Sequence, residues 1–182
     1  MKNQSMDNSP ELSRPLQVDK ISAGGVEEIL VANEEERKRL AERFGLLSLL
    51  SLQAQLTVTP ARGAMFAVKG HMEADVVQQC VVTLEPLPAH ISQQIDVLCA
   101  DPEFLDPGVS PPHVEVDDDE MEPIIGGIID LGELVSQNLG IALDPYPRKP
   151  GLTFVEVEYG DDTVANPFAK LATLTKTGKD KE

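Results

Sequence analysis

The chain has 182 residues, which is enough for one domain with its own hydrophobic core. Aromatic residues make up only 4% of the chain and tryptophan is absent, so leucine, valine, isoleucine and alanine must form that core and few rings remain for stacking on nucleic-acid bases. The net charge of −16 repels nucleic acid on average, and it favours either plain solubility or a basic partner.

The cysteines and the chain start bear on the cellular compartment. Two cysteines, Cys80 and Cys99, are too few for a disulfide framework. The first ten residues are polar and do not resemble a signal peptide, and no apolar run approaches the ~20 residues that a membrane-spanning helix needs. We therefore expect a cytoplasmic protein.

The N-terminal part predicts a tail, a strand and a helix. Residues 1–12 are polar and predict a disordered tail, and weak alternation over residues 14–21 predicts a first strand. Asn33 and Glu36 have the spacing of a capping box, and acidic residues precede basic ones along the segment that follows. These features predict a helix that begins after Asn33 and ends at Gly45.

The middle of the chain predicts an antiparallel meander. Apolar and polar residues alternate in several segments, and the connections between them are too short for βαβ crossovers. Gly70 falls inside the second segment and predicts a bulge there. Strands are expected at residues 46–59, 64–77, 80–84 and 91–99, with a turn at 60–63.

Residues 101–123 differ in composition from the rest of the chain. They contain nine acidic residues and five prolines but no lysine or arginine, which predicts a flexible acidic loop. More than half of the net charge lies in this segment, so the remaining chain is only mildly acidic.

The C-terminal part predicts a second helix, a strand and a short amphipathic turn. The helix is expected to begin at Asp130, with Glu133 at the capping-box position and an apolar stripe that faces the core. A last strand is expected over residues 153–159, and a helical turn is expected to follow Asn166 and Pro167. Members of the apolar stripe are Leu131, Leu134, Val135, Leu139 and Ala142.

Together these elements predict an α+β fold. We expect an antiparallel β-meander or partly closed barrel packed with two main helices. The domain is expected to span residues 13–175, with the acidic loop 101–123 inside it, and residues 176–182 form a charged tail.

No sequence motif indicates catalysis or a bound metal. His71, His90 and His113 are not linked by any motif to a nucleophile, and no phosphate-binding loop is present. The acidic run lacks the spacing of a calcium loop. Cys80 has no second cysteine two or three positions later and is interpreted as a small buried hydrophobe. We predict a non-enzymatic protein without catalytic, cofactor-binding or metal-binding residues.

Two alternatives for a binding surface remain open. In the first, the acidic loop and a docking segment near the C-terminus contact a basic protein, with the aromatic ring of Phe168 as the anchor. In the second, the densest basic cluster binds RNA directly, with a strong dependence on salt. The candidate partner-binding residues are Asp117, Asp118, Asp119, Glu120, Asn166, Pro167 and Phe168. The candidate RNA-binding residues are Arg37, Lys38, Arg39 and Arg43.

Four segments, in their order and spacing, resemble the YceD family, also described as domain-of-unknown-function family 177. They are residues 74–86, the acidic loop, residues 129–148 and residues 166–171. The resemblance covers roughly residues 14 to 175. It implies a role in the accumulation of large-subunit (23S) ribosomal RNA and in 50S subunit biogenesis, with ribosomal proteins or precursor particles as partners.

The resemblance also carries an older suggestion of metal or nucleic-acid binding, which stays as the alternative function. Many family members have a Cys-x-x-Cys motif in the first of these segments. Thr83 stands here at the position of the second cysteine, so a zinc site does not carry over. The resemblance supplies no catalytic residues.

Overall fold

The computed structural model describes residues 10–104 and 121–151. Its main element is an open five-stranded sheet with strand order β2-β3-β4-β5-β6, in which β2 to β5 form an antiparallel meander and β6 joins β5 in parallel. The short strands β1 and β7 form a separate antiparallel pair. The strands are β1 (Pro15–Gln17), β2 (Val26–Val31), β3 (Ser48–Pro60), β4 (Phe66–Gln79), β5 (Pro86–Ala100), β6 (Met121–Pro123) and β7 (Ile128–Asp130), and the helices are α1 (Glu34–Phe44) and α2 (Leu131–Ala142).

The hydrophobic core lies on one face of the large sheet. Alternation along β3 points Leu52, Ala54, Leu56 and Val58 to that face, and all four are buried. Both helices contribute apolar side chains to the same core. The opposite face carries polar side chains, such as Gln53. Because they are polar, this face of the antiparallel sheet can remain in contact with water. The α+β prediction is confirmed, and the sheet is not closed into a barrel.

Helix α1 begins and ends where the sequence predicts. The Asn33 side chain accepts a hydrogen bond from the Glu36 amide at 3.0 Å, and the Glu36 carboxylate accepts one from the Asn33 amide at 2.8 Å. Gly45 ends the helix with φ of 63°, a left-handed conformation that glycine adopts at little cost. The capping box at one end and the glycine at the other therefore fix both ends of the helix.

Glu36 also ties the N-terminal segment to α1. Its buried carboxylate accepts two hydrogen bonds from the guanidinium of Arg14, at 2.8 and 3.0 Å. These hydrogen bonds lower the pKa of Glu36, so its contribution to stability is present above its unfolded pKa of about 4.5 and is lost as the pH falls through the lowered value.

We expect Glu36→Ala to lower the free energy of unfolding by about 2 kcal/mol at neutral pH, because it removes the capping box and leaves Arg14 without its partner. Urea unfolding measures this loss. Glu35→Ala is the matched control, since Glu35 is exposed in the same helical turn and should change stability by less than about 0.5 kcal/mol. Equal losses in the two variants would contradict the role given to Glu36.

The N-terminal boundary differs from the prediction. Leu12, placed at the end of the predicted tail, is fully buried in the core, and Glu11 forms an ion pair with Arg43 at 2.9 Å. The ordered fold thus begins before residue 13. The predicted first strand over residues 14–21 is shorter, because a 3-10 turn at Val18–Lys20 follows β1.

Two local predictions in the sheet are wrong, and one strand was not predicted. Residues 80–84 form a turn rather than a strand, and β4 and β5 pair directly across it. Gly70 causes no bulge, since the register shift lies between Leu49 and Ser51 instead. Strand β2 was not predicted; its exposed Ile29 and Val31 break the simple alternation of an inward apolar face.

The acidic loop and the C-terminal predictions fall partly outside the described residues. Met121–Pro123, inside the predicted loop, is strand β6. Helix α2 begins after Asp130 and buries its predicted stripe except for Ala142, which is half-buried. The strand predicted over 153–159 and the turn after Asn166 lie outside the described residues, as does the boundary of the C-terminal tail. In residues 10–104 and 121–151, no helix is long and apolar enough to cross a membrane.

Candidate functional site

The predicted basic cluster lies on α1, but half of it is engaged in contacts within the protein. The guanidinium of Arg43 binds carboxylate oxygens of Glu11 and Glu133 at 2.9 Å each. The guanidinium of Arg37 donates a hydrogen bond to the carbonyl of Ala32 at 2.7 Å. Lys38 and Arg39 are exposed and form no ion pair among the described residues, whereas Arg43 is exposed but paired.

The charge around these two side chains is also balanced. Glu34, Glu35 and Glu42 are exposed on the same helix, so α1 does not present a surface of one sign. A phosphate backbone binds where several cations are free to neutralise it. Direct RNA binding through this helix remains a prediction that rests on Lys38 and Arg39.

The polar face of the sheet brings two histidines beside carboxylates. His90 Nδ1 lies 2.8 Å from Asp75, whose other oxygen accepts a hydrogen bond from Ser51 at 2.7 Å. These contacts, with His90 as the first cause, lower the pKa of Asp75. The serine here bonds to the carboxylate and not to the imidazole, so this group lacks the order of side chains that activates a serine nucleophile.

The turn after β4 holds Cys80 in a hydrogen-bonded loop. The Cys80 amide donates to the Glu85 carbonyl, and the Leu84 amide donates to the Cys80 carbonyl, both at 2.9 Å. Cys80 is fully buried, as predicted. The Thr83 hydroxyl and backbone N–H groups donate to its sulfur and lower the pKa of the thiol to about 6, although burial acts in the opposite direction. Thr83 thus occupies the second-cysteine position as a hydrogen-bond donor to the first.

The tip of the same turn is apolar and exposed. Val82 is 56% exposed and Leu84 is 65% exposed. Leu84 also has φ of 61°, the one positive value among non-glycine residues of the described chain. Such a conformation is unfavourable for leucine, so the surrounding hydrogen bonds must hold it.

Among the described residues, no group of three or more His, Cys, Asp or Glu side chains could hold a metal ion.

A cleft of about 290 Å³ lies between the end of β5, strand β6, the turn before β7 and helix α2. Its walls are mostly apolar, and three carboxylates line it. Ile125, at its edge, is 70% exposed, and Ile128 is 37% exposed. The lining residues are Cys99, Glu122, Pro123, Ile125, Ile128, Ile129, Asp130, Glu133, Leu134 and Gln137.

The three carboxylates of this cleft have different environments. Glu133 binds the Arg43 guanidinium through both oxygens, at 2.9 and 3.0 Å. Asp130 accepts hydrogen bonds from Ser13 and from the amides at the start of α2. Among the described residues, Glu122 has no ionic or hydrogen-bonding partner for its side chain. Burial, and then the charge of Glu133, raise the pKa of Glu122.

The raised pKa of Glu122 predicts how the stability of the protein depends on pH. Ionised Glu122 opposes folding once the pH rises above its unfolded value of about 4.5, because the folded state binds the proton more tightly. We expect Glu122→Gln to be more stable than the parent at pH 7 and equal to it below pH ~4. Thermal unfolding as a function of pH tests this, and lower stability of the variant at pH 7 would contradict it.

The predicted partner-binding residues lie outside the described residues. They are Asp117, Asp118, Asp119, Glu120, Asn166, Pro167 and Phe168. Sequence reasoning missed the cleft, because its lining residues between 122 and 137 belong to two strands, a turn and a helix that meet each other and Cys99 of β5 only in the fold. The one available signal was Glu122 itself, which is the last acidic residue before the apolar residues of the turn.

The comparison with protein families decides where the chain belongs. The model of the family described as "Large ribosomal RNA subunit accumulation protein YceD" matches residues 68–175, more than half of the chain. The chain belongs to the YceD family. No curated protein and no solved structure matches it.

The extent of the match separates the candidate surfaces. Most of β4, the Cys80 turn, β5, the cleft and α2 lie inside the residues that match the YceD family, whereas α1 with the basic cluster lies outside them. The family description links the chain to large-subunit ribosomal RNA accumulation. Features within residues 68–175 are therefore the first candidates for a function that the family shares.

Proposed function

We propose that the protein is a non-enzymatic binding protein of the cytoplasm that promotes the accumulation of 23S ribosomal RNA during assembly of the 50S subunit. The observation that carries this proposal is the match of residues 68–175 to the YceD family. The resemblance of the four segments described above supports the same function.

The charge of the chain supports a protein partner rather than naked RNA. A net charge of −16 repels phosphate groups, and an acidic surface attracts the basic proteins of the large subunit. The exposed cations of α1 are few and are interleaved with glutamates. Association with a basic ribosomal protein or with a large-subunit precursor is the binding mode that we propose.

A pull-down from lysate tests this binding mode, with the tagged protein recovered with and without ribonuclease. We expect large-subunit proteins to be recovered and to persist after ribonuclease treatment. Loss of all ribosomal components on ribonuclease treatment, together with weak recovery by Lys38→Glu/Arg39→Glu, would favour direct RNA binding instead. Recovery of neither large-subunit proteins nor 23S RNA would overturn the proposal.

A further inference from the structure

The cleft beside α2 combines an apolar wall with one carboxylate that lacks a partner among the described residues. The side chains of Ile125, Ile128 and Leu134 provide the wall, and Glu122 lies at the same cleft on strand β6. Exposed isoleucines beside water are unfavourable unless something covers them. The wall and the carboxylate therefore suit a group that is apolar along its length and positively charged at its end.

The other charges of the cleft are already balanced within the fold. Arg43 neutralises Glu133 from α1, and Ser13 with backbone amides satisfies Asp130. Cys99, from β5, is buried and its pKa is raised to about 12, so it stays neutral. Within residues 10–104 and 121–151, a cation that enters the cleft therefore meets one carboxylate without a partner, that of Glu122.

We propose that this cleft binds a lysine or arginine side chain of a basic partner protein. The aliphatic stem of that side chain lies along Ile125 and Ile128, and its charged end pairs with Glu122. The volume of about 290 Å³ is at the small end of the range for ligand pockets, which fits one long side chain rather than a whole cofactor.

The charge of the cleft selects the occupant. The carboxylates of Glu122 and Glu133 and the net negative charge of the chain would repel the phosphates of RNA. RNA also has no aliphatic side chain that ends in a positive charge. A basic protein segment supplies both the stem and the charge. The assignment to a protein of the large subunit rests on the proposed function, whereas the preference for an aliphatic cation rests on the cleft alone.

Titration with a short peptide tests the preference directly. The probe is acetyl-Gly-Leu-Arg-Leu-Gly-amide, and its neutral counterpart carries citrulline in place of arginine. We expect the arginine peptide to shift the amide resonances of residues 121–137 in two-dimensional NMR spectra. The citrulline peptide and the Glu122→Gln variant should each bind at least about tenfold more weakly.

The matched control is Glu42→Gln, which removes one exposed charge from α1 and should bind the arginine peptide as the parent does. Ile125→Ser should also weaken binding, because it shortens the apolar wall. Equal binding by Glu122→Gln, equal binding of the citrulline peptide, or no saturable shift in the cleft at millimolar peptide would each overturn the inference.

The same variants separate this inference from the proposed function. If Glu122→Gln recovers large-subunit proteins from lysate as well as the parent does, the assignment of a large-subunit protein to the cleft fails and the proposed function stands. If the peptide binds the cleft but the parent recovers no ribosomal component, the proposed function fails and the cleft retains its preference for an aliphatic cation.

Discussion

Replacing Gly70 with alanine should lower the free energy of unfolding by about 3 kcal/mol, at the upper end of what overpacking costs. Gly70 lies in the middle of β4, between Leu56 of β3 and Ile95 of β5. A Cβ atom at this position would collide with the carbonyl oxygen of Gln55 and would lie 2.9 Å from Leu56 Cα. Both contacts involve the backbone, so the two central strands would have to separate. Urea unfolding measures the loss.

Gly24→Ala is the control for this prediction. A Cβ atom at Gly24 would meet only the Ser22 hydroxyl, at 3.8 Å, so we expect a change within about 0.5 kcal/mol. The pair separates a steric effect from the general effect of removing a glycine. A Gly70→Ala variant as stable as the parent would show that β3 and β4 do not approach each other as closely as the structure has them.

Replacing Leu12 with alanine should lower the free energy of unfolding by about 3 kcal/mol, because it leaves a cavity in the core. Leu12 has no exposed surface, although it is two residues from the first described residue. The chain at this point lies against α2: a Cβ atom on Gly132 would be 2.6 Å from the Leu12 carbonyl oxygen. The loss of stability should appear in urea unfolding as a lower midpoint.

Leu50→Ala is the matched control, since Leu50 is 60% exposed on β3 and its truncation should change stability by less than about 0.5 kcal/mol. If Leu12→Ala were as harmless as this control, residues 10–12 would belong to the tail, as predicted from the sequence. A large loss would place them in the domain core.

Local signals in the sequence predicted the elements that depend on local physics. The pair Asn33 and Glu36 sets the start of α1, and Gly45 sets its end, because capping involves neighbouring residues only. Partial alternation predicted β3, and alternation over residues 91–99 predicted most of β5, since one buried face imposes a period of two. These elements form most of the main sheet, so the fold class followed from them.

Elements that depend on distant contacts were missed. Strand β6 has three residues, and only its pairing with residues 98–100 of β5 makes it a strand. The apolar residues that follow Cys80 suggested a strand, but the direct pairing of Gln79 with Pro86 turns them into an exposed tip. Pro86 and Pro88 lie at the start of β5, where β6 does not reach.

The candidate site shows the same division. Runs of charge along the chain suggested the acidic loop and the basic cluster, because such runs are visible without a structure. The structure shows that Arg43 is bound by Glu11 and Glu133, which are far apart in the sequence. The cleft of Glu122 is lined by Cys99 of β5 and by residues between 122 and 137, and only the folding of β6, the turn, β7 and α2 around β5 forms it.

The ratio of 23S to 16S ribosomal RNA in cells depleted of this protein tests the central claim most directly. We predict that the ratio falls on depletion and that re-expression of the parent protein restores it. The cellular level of the protein is measured in the same samples. An unchanged ratio in depleted cells, with the protein shown to be absent, would contradict the claim that it promotes large-subunit ribosomal RNA accumulation.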